Sequence, residues 1–429
     1  MEPGTRRIYL DHNATTPLHP EVMRVMIEAL SCFGNPSSQH IEGQRARGAV
    51  EAARREVAAL LGCSPFEVVF TSGGTESNNT AILGAARARA RAGIGGDGPW
   101  QVIAGPLEHP SVRRSLEVLR GEGFRVTVLP VDAAGRLDAA ALEQVLGDGR
   151  TALVTVQLCS HELGNLNPIA ELSARARAHG AWFHCDAVQG AGKVPLDVRA
   201  LGVDLLSVSA HKLYGPKGIG ALFVRGVPVR TEGSGAATCG VPLDLPALLV
   251  GGSQEKGRRA GTENVPGILG FGRAARLARE ELLGRAAEVA ALRDRLESQL
   301  LQIPGARRHG EARSEHRAPA TCNLGFAGVT GELLMMGLDL RGAAVSTGSA
   351  CSSGSPEPSV GLLALGLSRE QALEAVRFSL GLTTTAEDVD QVAAWVREIV
   401  EHVRRLGSEG SFGKGTGCVT IRQRRLNGC

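Results

Sequence analysis

The sequence has few aromatic residues and no long hydrophobic run. Phe, Trp and Tyr make up 3% of the 429 residues, so a base-stacking surface for nucleic acid is not expected. The sequence contains no run of about 18 apolar residues, the length that crosses a membrane. The net charge of +3 is too small to indicate nucleic acid or a membrane surface as a partner. The N-terminal stretch MEPGTRRIYLDHNATTP lacks an apolar signal core, so we expect a cytoplasmic protein.

The nine cysteines lack the spacing of a disulfide framework or of a zinc site. They are scattered, odd in number and form no CxxC pair, so we expect most of them to be buried and reduced. Cys351 differs, because the stretch STGSACSSGSP (346–356) surrounds it with small residues. Such residues predict an exposed, flexible loop. The thiol of Cys351 either has no role or is carried by this loop to another chemical group.

Apolar, β-branched runs alternate with helical patterns in the first half of the chain. This alternation predicts an α/β fold with a mostly parallel sheet that is covered on both faces. In such sheets the active site lies at the carboxyl ends of the strands. Strands are predicted within 67–74 and at 100–105, 125–131, 151–159, 182–188, 205–211 and 220–225, and helices at 44–62, 110–120, 138–146 and 168–180.

The pattern changes after about residue 265. A long helical pattern over 267–302 leads into a second α+β region that ends near Leu406. The Gly/Ser-rich and then basic end of the chain predicts a disordered tail. The expected parts are a large domain over 16–263 with a loop insertion at 226–250, a small domain formed by 1–15 and 264–406, and a tail over 407–429.

The stretch TSGGTESNN (71–79) is typical of a strand that turns through glycines into a helix. Free backbone amides at a helix N-terminus bind phosphate, and the Thr75 hydroxyl adds a donor. The same pattern also fits an ordinary turn in which Thr75 only caps the helix. The motif alone leaves both interpretations open.

The stretch SVSAHKLYGPKGIGAL (207–222) places Lys212 at the end of an apolar strand, beside His211. Partial desolvation lowers the pKa of a lysine and makes its amine a better nucleophile. The alternative is a surface lysine at a strand end, which is the commoner case for an isolated lysine.

The stretch FHCDAVQ (183–189) places a carboxylate among apolar residues on a predicted central strand. Such a carboxylate needs a cationic partner, either a protonated pyridine nitrogen or an arginine. His184, Cys185 and Asp186 form a poor metal site, because adjacent strand residues point to opposite faces. We therefore expect no metal.

A phosphate-binding turn, a buried aspartate and a lysine downstream are together what pyridoxal 5'-phosphate (PLP) requires. The sequence resembles the NifS/IscS-type cysteine desulfurases, which are class V aminotransferase-like proteins of PLP fold type I, with selenocysteine lyase as a close relative. The similarity runs from residue 8 to about 400, outside the tail and the 226–250 insertion. The matching motifs, in family order, are YLDHNATTP, GNPSSQH, FTSGGTESNN, EHPSV, HCDAVQGAGK, SAHKLYGPKGIGAL, GGSQEKGRRAGTEN, STGSACSSG and VRFSLG.

The resemblance implies PLP as the cofactor and assigns residues to each part of it. Lys212 would carry PLP covalently, and Asp186 would pair with its pyridine nitrogen. His109 would stack over the ring and transfer protons. The remaining cofactor contacts would be Gln189 and His161 at the phenolic oxygen, and Gly74, Thr75, Ser209 and His211 at the phosphate.

The resemblance also implies a substrate site and a dimer. Arg377 would bind the substrate carboxylate, since its planar fork suits two oxygens, and Asn35 lies in a segment that lines the same site. Thr262 would reach the phosphate held by the neighbouring subunit, which implies a homodimer.

One position departs from the family pattern. Ser160-His161-Glu162 stands where the family has Asn-Asn-Glu, and the second Asn normally contacts the phenolic oxygen of the cofactor. A neutral imidazole can donate the same hydrogen bond, but it is bulkier and can titrate. We therefore expect the cofactor's absorbance and the pH optimum to differ from those of the family.

The implied activity converts L-cysteine to L-alanine and leaves the sulfur as a persulfide on Cys351, for an acceptor such as an iron–sulfur scaffold. One alternative is a selenocysteine lyase on the same scaffold. Another is a sulfur-handling partner with little turnover, whose site is altered at 160–161. The residues that favour an active enzyme are all intact: Lys212, Asp186, His109, Arg377 and Cys351. The sequence does not identify the sulfur acceptor.

Overall fold

The computed structural model of the protein describes residues 6–93, 99–147, 150–226, 243–347 and 357–409. Cys351 lies outside these ranges, as do most of the 226–250 insertion and nearly all of the expected tail.

Helices and strands alternate along most of the chain. Within the described ranges, no helix is both long and apolar enough to cross a membrane. The elements are β1 Ile8–Tyr9, α1 Pro20–Ala29, α2 Ile41–Leu61, β2 Val68–Thr71, α3 Gly74–Arg91, β3 Gln101–Ala104, α4 Pro110–Gly121, β4 Arg125–Val128, α5 Ala139–Leu146, β5 Thr151–Gln157, α6 Ile169–Ala178, β6 Trp182–Asp186, α7 Val198–Leu201, β7 Leu205–Ser209, β8 Gly220–Val224, α8 Val265–Leu277, α9 Leu283–Leu300, β9 Ala306–His309, β10 Thr321–Phe326, α10 Gly331–Leu340, β11 Ala343–Ala344, β12 Ser346–Thr347, α11 Val360–Ala364, α12 Arg369–Leu373, β13 Ala375–Ser379 and α13 Ala386–Glu409.

The larger sheet has seven strands in the order β2-β8-β7-β6-β5-β3-β4. All its pairings are parallel except those of β8, which runs antiparallel to both β2 and β7. Every residue of β5 is buried, as expected for a strand covered on both faces. The predicted mostly parallel sheet is therefore confirmed. Strand β8 reverses because the link from Ser209 to Gly220 is too short for the crossover that a parallel neighbour needs.

The smaller sheet has four antiparallel strands in the order β12-β13-β10-β9. Its core includes side chains from α9, α10 and α13, and it is separate from the core of the larger sheet. The helical pattern predicted over 267–302 is divided between α8 and α9 by a π-helical segment at Ala278–Leu282. Helix α13 continues to Glu409, beyond the end near Leu406 that the sequence suggests. The domain limits stay a prediction.

The segment after β1 connects the two sheets at the site. The backbone N–H of Ser379, in β13, donates to the carbonyl of Leu10 at 2.8 Å. The backbone N–H of Asn13 donates to Ser379 Oγ at 3.0 Å. The backbone N–H of Thr16 then donates to the carbonyl of His211, just after β7, at 2.9 Å. Asn13 and Ala14 are thereby fixed beside Lys212.

Candidate active site

A cavity of about 430 Å³ lies at the carboxyl ends of β5, β6 and β7 and the N-terminus of α3. Asn35 and Thr262 are described but do not line it, and Cys351 is outside the described residues. The structure brings the other predicted residues together around the cavity: Gly74, Thr75, His109, His161, Asp186, Gln189, Ser209, His211, Lys212 and Arg377.

The N-terminus of α3 forms one wall of the cavity. The helix begins after Gly73, whose φ is 151°, and no side chain caps it. A Cβ on Gly74 would lie only 2.7 Å from Val188 Cγ2, so this close approach requires glycine. Thr75 lies within the first turn and is not the cap residue. This arrangement fits a bound phosphate, because the first amides of the helix are left for an anion.

Lys212 lies in the short turn that follows β7. Its Nζ donates to the backbone carbonyl of Ala14 at 2.7 Å and also to that of Asn13. Burial, together with the positive charges of Lys193 and Arg377, lowers the pKa of the Lys212 amine to about 7. Lys212 is thus a partly buried amine inside the cavity, not the surface lysine of the alternative interpretation.

Asp186 is buried at the end of β6. Its Oδ1 accepts the backbone N–H of Val188 at 3.0 Å, and its Oδ2 accepts Nδ2 of Asn78 at 2.8 Å. Among the described side chains, no arginine or lysine forms an ion pair with it. The arginine partner considered from the sequence is therefore not found there, and the carboxylate is available to a cationic ring nitrogen.

His184 does not contribute to a metal site. Its Nδ1 lies 2.8 Å from Thr155 Oγ1 and its Nε2 lies 2.9 Å from Ser207 Oγ. Both ring nitrogens are therefore used to join β5, β6 and β7. Among the described residues, no cluster of three His, Cys, Asp or Glu side chains has the arrangement of a metal site.

Gln189 is held by a lysine that sequence reasoning left without a role. Lys193 Nζ donates to Gln189 Oε1 at 2.8 Å and to Asn13 Oδ1 at 3.0 Å. Gln189 Nε2 donates to the Asn13 carbonyl at 2.8 Å. Because an ammonium group only donates, Lys193 fixes which end of the Gln189 amide carries the N–H groups.

His109 and His161 meet in the cavity. Their rings are 5.5 Å apart in an edge-to-face arrangement with an interplanar angle of 75°. His161 Nδ1 lies 3.4 Å from Gln157 Oε1. Burial lowers the pKa of His161 well below its usual value, and nearby positive groups lower it further. The ring is therefore neutral near pH 7, so its own titration does not explain the altered pH optimum that the sequence suggests.

Arg377 reaches the cavity from β13, in the smaller sheet. Its Nη2 donates to Asp11 Oδ1 at 2.7 Å and its Nη1 to the His161 carbonyl at 3.1 Å. Its Nε is buried and has no partner among the described residues. Asp11 and the His161 carbonyl thus already occupy both terminal nitrogens of the guanidinium group.

A second cavity of about 470 Å³ adjoins the first, and the two share His109, His161 and Arg377. Thr347 and Glu357 also line it. These two residues flank the segment 348–356, which contains Cys351.

Several cavity residues were not singled out from the sequence. Asn13, Asn78 and Ser111 lie within the motifs YLDHNATTP, TSGGTESNN and EHPSV, so the signal was present but was not resolved to these positions. Gln157 and Cys159 lie at the end of a predicted strand, and nothing in the sequence pattern marks them.

The chain matches the family described as Aminotransferase class-V over residues 8–392. The chain belongs to this family. It is 45% identical over 407 residues to a protein named Cysteine desulfurase IscS from Anaeromyxobacter sp. (strain Fw109-5), and the match covers 93% of each chain.

This class-V chain is also similar to proteins whose structures have been solved. It is similar to one titled NIFS-like protein, with 34% identity and a TM-score of 0.81 over 92% of this chain and 100% of the other. It is also similar to one titled SspA in complex with cysteine, with 34% identity and a TM-score of 0.72 over 87% and 98% of the two chains. Family membership confirms the predicted resemblance, the type I fold and PLP as the cofactor. The roles of individual side chains stay predictions.

Proposed function

We propose that the protein is a PLP-dependent cysteine desulfurase, which converts L-cysteine to L-alanine and keeps the sulfur as a persulfide on Cys351. The observation that carries this proposal is the position of Lys212. It is a partly buried amine with a pKa of about 7, in one cavity with Asp186 and the uncapped start of α3. The relative that matches 93% of this chain is named for the same activity.

The residues around the cavity fit PLP. The start of α3 with Ser209 and His211 would hold the phosphate, Asp186 the pyridine nitrogen, and Gln189 and His161 the phenolic oxygen. When bound, PLP supplies an electron-withdrawing ring that stabilises negative charge at the substrate Cα. Lys212 would then take the Cα proton on Nζ, and its lowered pKa suits that task. Arg377 would orient the substrate through its carboxylate.

The sulfur must be taken by a nucleophile that the chain provides. A thiolate attacks the substrate Sγ, and the Cβ–Sγ bond breaks. The electron pair of that bond passes to the substrate carbon skeleton, which is protonated at Cβ to give alanine. The thiolate sulfur retains the substrate sulfur as a persulfide, so atoms and electrons balance without an added oxidant or reductant.

The buried cysteines are poor candidates for this nucleophile, and the two half-buried ones, Cys32 and Cys63, line neither cavity. Cys159 lines the cavity, but burial raises the pKa of its thiol to about 12. Burial also raises the pKa of Cys185, and that of Cys322 to about 12. Cys351 follows Thr347 by four positions, a chain length of at most about 14 Å, and Thr347 lines the cavity next to His109 and His161. This supports Cys351 as the sulfur-accepting residue.

The homodimer is part of the same proposal. Thr262 is exposed and does not line the cavity of its own chain, as expected if it contacts the cofactor of a second subunit. The loop before it is anchored by a buried ion pair between Arg54 and Glu255 at 2.6 Å. Exposed apolar side chains along α1 and just beyond it, among them Met23, Ile27 and Phe33, give a second copy a surface to cover. Asn35 would line the substrate site only in such an assembly.

Purified protein with bound PLP is expected to release alanine from L-cysteine, with sulfide in equal amount when a thiol reductant discharges the persulfide. Turnover of L-selenocysteine under the same conditions separates this activity from the alternative. Cysteine turnover at a small fraction of the selenocysteine rate would favour a selenocysteine lyase. Failure to turn over either substrate with PLP bound would contradict the proposal.

His161 is expected to tune the absorbance of the bound cofactor. Its Nδ1 makes only a weak contact with Gln157 Oε1, at 3.4 Å, so an N–H of the ring can serve the phenolic oxygen. In His161→Leu the donor is lost, and the apparent pKa of the cofactor's absorbance change should rise by roughly one pH unit. His161→Asn keeps a donor and should stay close to the wild-type value. An unchanged titration in His161→Leu would show that the ring does not contact the cofactor.

A further inference from the structure

We propose that Asn78 and Ser111 are positioning residues, which form a directed hydrogen-bond chain from Asp186 to His109 and hold the proton of the neutral His109 ring on Nε2. The use of this proton in the reaction rests on the proposed function. The chain of hydrogen bonds itself follows from contacts among the described side chains.

The first link fixes the orientation of the Asn78 amide. Its Nδ2 lies 2.8 Å from Asp186 Oδ2. A carboxylate oxygen accepts, so the NH₂ end of the amide must face Asp186. Asn78 is buried and its Oδ1 has no partner among the described residues, so the contact with Asp186 decides the orientation.

The second link fixes the direction of the Ser111 hydroxyl. The same Asn78 Nδ2 lies 2.9 Å from Ser111 Oγ. An NH₂ group only donates, so Ser111 Oγ must accept here. The hydroxyl proton of Ser111 is then free to point at its other close neighbour, His109 Nδ1, at 2.8 Å.

The third link fixes the tautomer of His109. This residue caps α4, and its Nδ1 accepts the backbone N–H of Ser111 at 3.1 Å. Nδ1 therefore receives both the backbone N–H and the hydroxyl of one serine. A proton on Nδ1 would oppose the backbone N–H and remove the cap. The neutral ring must therefore carry its proton on Nε2.

The surroundings of His109 favour the neutral ring, for which the choice of tautomer matters. Burial lowers the pKa of His109, and the charges of Lys212 and Arg113 lower it further, whereas Asp186 acts in the opposite direction. His161 faces the ring from the loop after β5 and is itself neutral. The N-terminus of α4 also disfavours a cation at this position. His109 can thus donate from Nε2 without first being protonated.

The tautomer can be observed by ¹⁵N NMR of the PLP-loaded protein labelled at histidine. The His109 signals are assigned by their loss in His109→Gln. In the wild type, Nε2 should have the shift of a protonated ring nitrogen and Nδ1 that of an accepting one. In Ser111→Ala only the backbone N–H remains as a donor to Nδ1, which weakens the preference for the Nε2 tautomer, so the two shifts should move toward each other and the pKa of His109 should rise. The acidic limb of the kcat/KM profile should then move up by about half a pH unit.

Ser115→Ala is the matched control. Ser115 is buried one turn further along α4, and its hydroxyl donates to the Ser111 carbonyl at 2.9 Å, outside the chain of hydrogen bonds to His109. Ser115→Ala should leave the ¹⁵N shifts of His109 and the acidic limb of the kcat/KM profile unchanged. Ser111→Thr keeps a hydroxyl and should return both quantities toward their wild-type values. A wild-type His109 protonated on Nδ1, or a Ser111→Ala protein that matches Ser115→Ala, would overturn the inference. A protein with the Nε2 tautomer but no cysteine turnover would uphold the inference while contradicting the proposed function.

Discussion

Replacing Lys212 with alanine is expected to lower cysteine turnover by about 10³-fold or more, because the variant lacks the amine that moves the substrate Cα proton. The variant should also lose the covalent attachment of the cofactor. Borohydride treatment should therefore fix PLP on the wild-type protein but not on Lys212→Ala, as judged by the mass of the denatured chain. The variant can still bind PLP noncovalently through Asp186 and the start of α3.

Lys217→Ala is the matched control for this experiment. Lys217 is exposed, lies in the same segment after β7 and does not line the cavity. It should retain turnover and borohydride-fixed cofactor at wild-type levels. Wild-type turnover in Lys212→Ala would remove Lys212 from the reaction.

Replacing Cys351 with serine is expected to lower the release of alanine to less than about 1% of wild type, since a hydroxyl at this position cannot act as the sulfur nucleophile. The variant should still bind PLP and respond spectrally to added cysteine, because Lys212, Asp186 and Arg377 remain intact. The loss should therefore appear in kcat and not in cofactor or substrate binding.

Cys159→Ser provides the control for Cys351→Ser. Cys159 lines the cavity, so position alone does not exclude it as the nucleophile. Its buried thiol has a pKa of about 12, and it stays protonated at neutral pH. Turnover should therefore survive in Cys159→Ser. The opposite pattern, with Cys159→Ser inactive and Cys351→Ser active, would transfer the role to Cys159.

The larger sheet was predictable from the sequence because its buried strands are apolar and β-branched. Strand β5, fully buried, is the plainest case. The sequence pattern did not predict the antiparallel direction of β8. The link after Ser209 is nevertheless too short for the crossover that a parallel strand would need. The π-helical break at Ala278–Leu282 was also missed, since a helix-period pattern continues through it.

The site was predictable where one motif carries the chemistry and not where partners come from distant segments. Lys212 and Asp186 follow from strand ends and residue type. Asn78, however, acts on Asp186, 108 positions further along the chain, and no spacing rule connects them. The contact between Asp11 and Arg377 spans 366 positions and was missed for the same reason.

His161 shows a second limit of sequence reasoning. The departure from the family motif was visible, and so was the capacity of an imidazole to donate a hydrogen bond. Its neutral state was not visible, because that state depends on burial against His109 and on nearby positive charges. Residue type thus gave the possible roles of the ring, and packing decided between them.

Mass spectrometry of the wild-type protein after incubation with a limiting amount of L-cysteine tests the sulfur-accepting role of Cys351 most directly. If Cys351 accepts the sulfur, one added sulfur atom should appear on the peptide that contains Cys351, and a thiol reductant should remove it. No sulfur should be added to the peptides with the described cysteines, which are Cys32, Cys63, Cys159, Cys185 and Cys322. An added sulfur on one of those peptides in place of Cys351, or alanine release with no sulfur added to the protein, would contradict this role.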